Sequence, residues 1–303
     1  MIARAPLIDL LFVIAPHALL LDIAGPAEAF RLANLHRKAQ GLPPRFRLGY
    51  AGPAATVSTS VGLGLVGLAP LPERLRGRTW VVLVGQPTAQ LAQVTPAISA
   101  IAAWLRRRVG PGLAAPESPH RLLATCSGAL LAARGGLLAD RRCTTHHELL
   151  AALKTLAPGA AVIDNRVFVV DGPVATSAGI TAGIDLALHL IAEECGESLA
   201  GIVAEDMVVY LRRSPRDPEL SPYRMHRRHL HPAVHRVQDA IISRPDRAWD
   251  TASLAAVVVV LVGVLGALIG PWLRTMRADR LVYNLETGEI RAIGDVQIAL
   301  EDG

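Results

Sequence analysis

Aromatic residues are scarce in this chain, with 4 Trp, 4 Tyr and 4 Phe among 303 residues. The core must therefore be built from Ala, Leu, Val and Ile. Cysteine is also rare. Cys126, Cys143 and Cys195 are too few, and odd in number, for a disulfide framework. No CxxC pair and no Cys/His spacing suited to a metal is present, so neither a metal nor a cofactor is expected. The first residues, MIARAPLIDLLFVIAP, lack the unbroken apolar stretch of a secretory signal because Asp9 interrupts them. A cytoplasmic start and a buried first strand are expected instead. The net charge of +5 permits an anionic partner without requiring one. The length suits one large domain or two ordinary ones.

Short apolar runs alternate with helical patterns over the first 212 residues. Strands are expected at Leu7–Ile14, Phe46–Ala51, Trp80–Val84, Leu122–Thr125, Val162–Ile163 and Val167–Val170. Helices are expected at Ala27–Arg37, Ile98–Arg108, His147–Leu156, Ile184–Glu194 and Ser198–Arg212, with Thr176–Gly179 opening the fourth of these. This alternation argues for an open, mostly parallel α/β sandwich. In such sheets the active crevice lies at the carboxyl ends of the strands. Asp22, Cys126, His146 and Thr176–Ser177 all follow expected strands and can converge there.

The most informative stretch is Leu122–His147. An apolar strand runs into Thr125-Cys126-Ser127-Gly128, and a small-residue helix follows at once. A cysteine at this turn faces the N–H groups of the next helix, which would lower its pKa and make it a nucleophile or an oxidant sensor. Gly128 lets the backbone turn tightly. His146, 20 residues on, offers an imidazole that can approach the sulfur. The plainer alternative is that Cys126 fills a small gap in the core. Asp22 likewise either acts in the site or caps a helix beginning near Pro26. Cys143 and Cys195 read as packing residues.

Several blocks together resemble one family. They are Leu20–Phe30 (LLDIAGPAEAF), Thr125–Ala129 (TCSGA), Gly136–Arg141, Thr144–His146 (TTH) and Thr176–Leu186 (TSAGITAGIDL). The chain from about Leu7 to Val257 is similar to the GlxA-type branch of AraC transcription regulators. These carry a ThiJ/PfpI-like (class I glutamine amidotransferase-like) domain ahead of a helix-turn-helix domain. The resemblance implies a flavodoxin-like sensor domain, a homodimer, and a small-molecule effector that controls DNA binding. It implies Gly25, Ser127, Gly128, Thr176 and Ser177 as ligand contacts. Enzymes of the same superfamily use the elbow cysteine as nucleophile. Isonitrile hydratases are similar in having an Asp in the first block and a Cys in the elbow, here Asp22 and Cys126. The alternative to a regulator is therefore a cysteine-dependent hydratase or hydrolase in which Asp22 holds or protonates substrate and His146 assists. The chain departs from the family at His147, where an aromatic residue is usual.

The expected organisation is a sensor domain at 1–212, a linker at 213–230, a partial helix-turn-helix at 231–257 and a tail at 258–303. Between Arg212 and Arg247 nine Arg face four acids, which suits a solvated linker or nucleic-acid contact equally. Val234, Val237, Ile241 and Ile242 have helical spacing, and Trp249–Ala256 looks like a second, N-capped helix. Arg227, Arg228 and Arg236 are the candidate phosphate contacts, and such contacts position a protein without specifying sequence. After Val257 the regulator pattern stops, before a recognition helix. Thr251–Leu273 carries no charge over 23 residues, long enough to span a bilayer at roughly 20 residues. It reads as a membrane segment, a buried helix or a valine-rich strand. The last residues alternate apolar and polar around Thr287-Gly288, a β-hairpin pattern, and resemble an OstA-like repeat. The tail thus looks like a junction produced by frameshift, fusion or splice.

Overall fold

Ile8–Val13 (β1) is apolar except at Asp9, with Ile8, Leu10, Phe12 and Val13 buried, as suits a strand covered from both sides. It lies between β2 (Phe46–Gly52) and β6 (Arg78–Leu83) and runs parallel to both. The computed structural model describes residues 6–91, 94–115, 117–220, 232–254 and 256–257, together with strand fragments at 276–277, 280–283, 290–293 and 297–298. The chain forms two compact units, residues 1–219 and 220–303.

In the first unit, β3 (Thr56–Ser58) and β4 (Gly64–Val66) form a small hairpin before β5 (Ala69–Pro70). After β6 come α2 (Thr88–Leu91), α3 (Pro96–Trp104), one π-helical turn (Leu105–Val109) and α4 (Gly110–Ala114). Then follow β7 (Arg121–Thr125), α5 (Gly128–Arg134), β8 (Arg142–Cys143), a 3-10 turn (His147–Leu149), α6 (Leu150–Leu156) and β9 (Ala161–Val162). The unit continues with β10 (Phe168–Asp171), β11 (Val174–Ser177), α7 (Thr181–Cys195) and α8 (Glu197–Asp206), while α1 (Leu20–Ala39) joins β1 to β2. The main sheet has the order β10-β11-β7-β6-β1-β2-β5. Every neighbour is parallel except β10 and β11.

Each face of the sheet has its own core. Ile8, Leu10, Phe12, Trp80 and Leu123 pack against Phe30 of α1 and Leu186 and Leu190 of α7. Val13, Val81, Leu83 and Leu122 pack against Ile101 of α3, Leu131 of α5 and Leu153 of α6. The expected parallel α/β sandwich is present, with three differences. First, α1 begins at Leu20 rather than Ala27, and Pro26 lies inside it. Proline lacks an N–H, so the Asp22 carbonyl has no i+4 partner there and the first turn is held by tertiary contacts instead. Second, Thr176 and Ser177 do not open a helix; they end β11. Gly172, with φ +58°, makes the tight turn that folds β10 back onto β11. Third, α8 stops at Asp206, not Arg212. The segment after it is pinned to the domain: Arg213 donates from its backbone and side chain to the Asp185 carboxylate at 2.6–2.9 Å.

In the second unit, α9 (Pro232–Ser243) begins at a proline, as the fixed φ of that residue favours. Val234, Ile241 and Ile242 on it are exposed. Residues 251–254 are helical behind a cap in which Asp250 Oδ1 accepts the Ser253 N–H at 2.8 Å. In the tail, β13 (Arg280–Tyr283) pairs antiparallel with β14 (Ile290–Ile293), and β12 (Met276–Arg277) pairs with β15 (Gln297–Ile298). The hairpin expected around Thr287-Gly288 thus has its two strands, while 284–289 lie outside the described residues. So do 258–275, which hold most of the apolar run. Among the described residues no helix is long and apolar enough to cross a membrane.

Candidate functional site

The parallel strands β7 and β6 end side by side, and the chain leaves β7 through Cys126 at φ +51°. A non-glycine residue in this region is uncommon and strained. Three contacts fix it. The Cys126 N–H donates to the Ser177 carbonyl at 3.0 Å, its carbonyl accepts the Thr145 hydroxyl at 2.8 Å, and it also accepts the Ala129 N–H at 3.3 Å. Ser127 is tied in turn to the loop after β6: its hydroxyl accepts the Gln86 N–H at 2.6 Å and donates to the Gln86 carbonyl at 2.8 Å. Gly128 is required here for space. A Cβ on it would stand 2.4 Å from the Leu83 carbonyl oxygen.

Asp22 is fully buried beside this elbow. Its Oδ1 accepts the Ile180 N–H at 2.7 Å. Its Oδ2 faces Gly85 and Thr125 but makes no hydrogen bond of good geometry. Ile180 has φ +52°, a strained value for a β-branched residue, and that conformation accompanies the N–H it gives the carboxyl. Asp22 therefore does not cap a helix starting at Pro26. It sits within the first turn of α1 and bonds across to the loop before α7. Two glycines make room for the pair. A Cβ on Gly179 would lie 2.2 Å from the Cys126 Cβ, and one on Gly85 would lie 2.6 Å from Asp22 Oδ2 and 2.7 Å from the Cys126 Cβ.

The electrostatics correct the expected pKa of the thiol. Burial, and then the neighbouring Asp22 carboxylate, push Cys126 up to about 12. The Ser127 N–H acts in the opposite direction and is outweighed. Burial likewise raises Asp22 to about 6, against the lowering pull of the Ile180 and Gly85 N–H groups. The resting elbow thus holds a neutral thiol beside a carboxyl that exchanges its proton near neutral pH. Such a pair can donate or take a proton at a bound molecule, but the thiol is not a ready nucleophile.

The other expected residues fall into two groups. His146 reaches the elbow through its neighbour Thr145; its Nδ1 accepts the Glu148 N–H at 3.4 Å at the start of the 3-10 turn. Burial and His147 lower its pKa. Ser177 is buried next to Cys126 and its Oγ has no hydrogen-bond partner. The Thr176 hydroxyl accepts the Thr144 N–H at 2.8 Å, fastening the segment that leads to His146. Gly25 instead sits where α1 crosses α7; a Cβ there would stand 2.8 Å from Ile184. Arg227 and Arg228 lie outside the described residues. Arg236 is on α9, half-buried, with Nε unpartnered. Sequence reasoning did not single out Gly85, Gly179 or Ile180 individually. It also missed Glu219, whose Oε1 meets His147 Nδ1 at 2.8 Å. A wide depression lined by Asp9, Arg47 and Arg74 lies at the opposite end of the strands, away from this chemistry.

Residues 115–193 match the DJ-1/PfpI family. The chain is 39% identical over 104 residues to the HTH-type transcriptional regulator GbdR of Pseudomonas aeruginosa, covering 34% of this chain and 28% of that protein. The match therefore spans less than a third of GbdR. It is 29% identical over 246 residues to the HTH-type transcriptional regulator GlxA of Rhizobium meliloti, covering 80% of this chain and 71% of that protein. Over 81 residues it is 44% identical to an isonitrile hydratase of Pseudomonas putida, covering 26% of this chain and 33% of the enzyme. A ThiJ/PfpI family protein from Pseudomonas syringae has the same fold, with TM-score 0.55 and 20% identity over 84% of this chain and 92% of its own. Residues 115–193 of the flavodoxin-like α/β unit thus match the DJ-1/PfpI family, in a chain similar to helix-turn-helix transcriptional regulators.

Proposed function

We propose that the chain is a transcription regulator of the AraC/GlxA type, in which a small molecule bound at the Cys126 elbow controls DNA contact by the second unit. One observation carries this reading. The likeness to GlxA extends over 246 residues, more than the 219 of the first unit, so it runs past the α/β domain into the segment holding α9. The chemistry of the elbow agrees. A buried, protonated thiol beside an unpaired carboxyl suits binding of a small polar molecule better than attack on one. Asp22, Cys126 and His146 are the functional groups of that seat. Ser127, Gly128, Thr176 and Ser177 shape it, and Gly25 sets the α1–α7 spacing behind it. The regulator acts in the cytoplasm as a homodimer, with the first unit, residues 1–219, as sensor, a linker after it and residues 231–257 as a partial DNA-binding module. Arg227, Arg228 and Arg236 contact phosphate.

The test is selection of genomic DNA fragments by the purified full chain at moderate salt. A gel-shift titration of the enriched fragment against a scrambled copy follows. A preferred fragment, with a shift altered in Asp22→Ala, supports the proposal. Equal affinity for both fragments removes sequence-specific DNA binding from this chain.

A second reading rests on the Asp22–Cys126 contact itself. A carboxyl near pKa 6 beside a thiol can serve a hydratase as acid and base. Under that reading Cys126→Ser abolishes turnover of an isonitrile or a related small molecule, and an inert wild-type protein excludes it.

A further inference from the structure

Beside the elbow is a second set of donor atoms, which shares only His146 with the proposed seat. His146, His147 and Glu219 each present one ligand atom, and the three atoms lie within 4.8 Å of one another. Side chains of consecutive residues usually diverge. Here His146 ends an extended stretch and His147 opens the 3-10 turn, so the two rings lie with centroids 4.2 Å apart at 33°. Glu219 comes from the far end of the first unit, 72 residues on. Its Oε1 accepts the His147 backbone N–H at 3.1 Å and faces His147 Nδ1 at 2.8 Å.

An independent observation points to a ligand. The Glu219 side chain is only 8% exposed, yet its Oε2 is buried without a hydrogen-bond partner. Among the described residues no Lys or Arg pairs with it. A buried carboxylate oxygen without a donor costs free energy, and a cation removes that cost. The two rings are 29% and 26% exposed, so an ion can enter from solvent.

We propose that His146, His147 and Glu219 form a binding site for a divalent transition-metal ion of the zinc, cobalt or nickel class. Two imidazoles and a carboxylate suit these borderline ions and not calcium or magnesium, which prefer all-oxygen sets. Bonds of about 2.0–2.2 Å place tetrahedral ligand atoms roughly 3.3 Å apart. Small side-chain rotations bring the three atoms to that spacing, and the metal replaces the His147–Glu219 hydrogen bond. Three protein ligands leave one position for water or a small anion. The site lies next to the elbow in the chain as well, since the Thr145 hydroxyl holds the Cys126 carbonyl. An ion here fastens the end of the first unit to the turn that supports Cys126. None of this depends on the regulator reading.

The test uses the full chain after dialysis against chelator, titrated with Zn2+ by calorimetry and with Co2+ by visible absorption. The expected result is one ion per chain, with d–d bands of nitrogen and oxygen ligation. Glu219→Gln and His147→Gln each weaken binding at least about tenfold and keep the metal-free unfolding midpoint of the wild type. If either variant fails to fold, His146→Gln at a partly exposed ring carries the same expectation. A triple variant His226→Gln, His229→Gln and His231→Gln keeps wild-type affinity. No binding, a thiolate charge-transfer band, unchanged affinity in the Glu219 and His147 variants, or loss of binding in the triple variant overturns the proposal.

Discussion

Glu194 and Asp22 are both buried acids of the first unit, at opposite ends of its sheet. At the amino ends of the strands, Glu194 is gripped by Arg45 at 2.5 Å and by both terminal nitrogens of Arg78, one at 2.9 Å. Arg45 also donates to the Pro6 carbonyl, so the cluster ties the start of the chain to α7. At the carboxyl ends, Asp22 has one backbone N–H at hydrogen-bonding geometry and, among the described residues, no cation. A buried acid with its counter-ions holds elements together; one without them stays costly to ionise and retains a proton to exchange. The difference marks which end of the sheet carries the chemistry.

The sharpest way to break this contrast is Glu194→Ala. It leaves the Arg45 guanidinium buried and unpaired, and should cost about 3–5 kcal/mol in denaturant unfolding. A loss of under about 1 kcal/mol would make the cluster a surface ornament. Asp22→Asn should have the opposite sign. Asp22 is raised from 3.8 to about 6 in the fold. Below about pH 3 it is protonated in folded and unfolded chains alike. As pH rises the unfolded chain ionises first, so a penalty grows and reaches about 3 kcal/mol above pH 6. The variant should therefore unfold like wild type at about pH 3 and be more stable by roughly 1–3 kcal/mol at pH 8. A gap that does not widen with pH would contradict the burial of the charge.

Gly179→Ala tests the space between the two groups. Its φ of +92° and the 2.2 Å approach to Cys126 should cost about 2 kcal/mol and shift the cysteine. Full stability with unchanged thiol reactivity would show that the loop yields. The gentlest probe is alkylation of Cys126, followed by peptide mapping at pH 8. A thiol near 12 should react at least about a hundredfold more slowly than an ordinary one near 8.5. Asp22→Asn should recover part of that rate by removing the negative neighbour.

Much of the first unit was legible because its signals are local. Apolar runs of strand length and a Thr-Cys-Ser-Gly turn report on nearby backbone. The strand Val174–Ser177 escaped because its last two residues, Thr176 and Ser177, open the TSAGIT block, which resembles a helix start. The true start of α1 escaped because proline commonly marks a first turn, whereas Pro26 sits inside α1 and the preceding turn is held by Asp22 reaching Ile180. The sign of the Cys126 shift was wrong for a related reason. The N–H groups of α5 are visible in sequence, but a buried acid 104 positions earlier is not. Glu219 sat in a stretch that read as linker, and only the folded chain brings it to His147.

The offset of 158 positions between Asp22 and Ile180 also sets an order of events during synthesis. The carboxyl emerges early and the elbow midway, but the loop that covers both comes only after β11, the last strand of the main sheet in chain order. Until that loop docks, the acid and the thiol are open to water, and both should titrate close to their free values. A nascent or prematurely terminated chain is thus chemically different from the finished one: its cysteine is available to oxidants, and only arrival of residues 177–185 shelters it. The closed site is in this sense a record that the sheet has been completed.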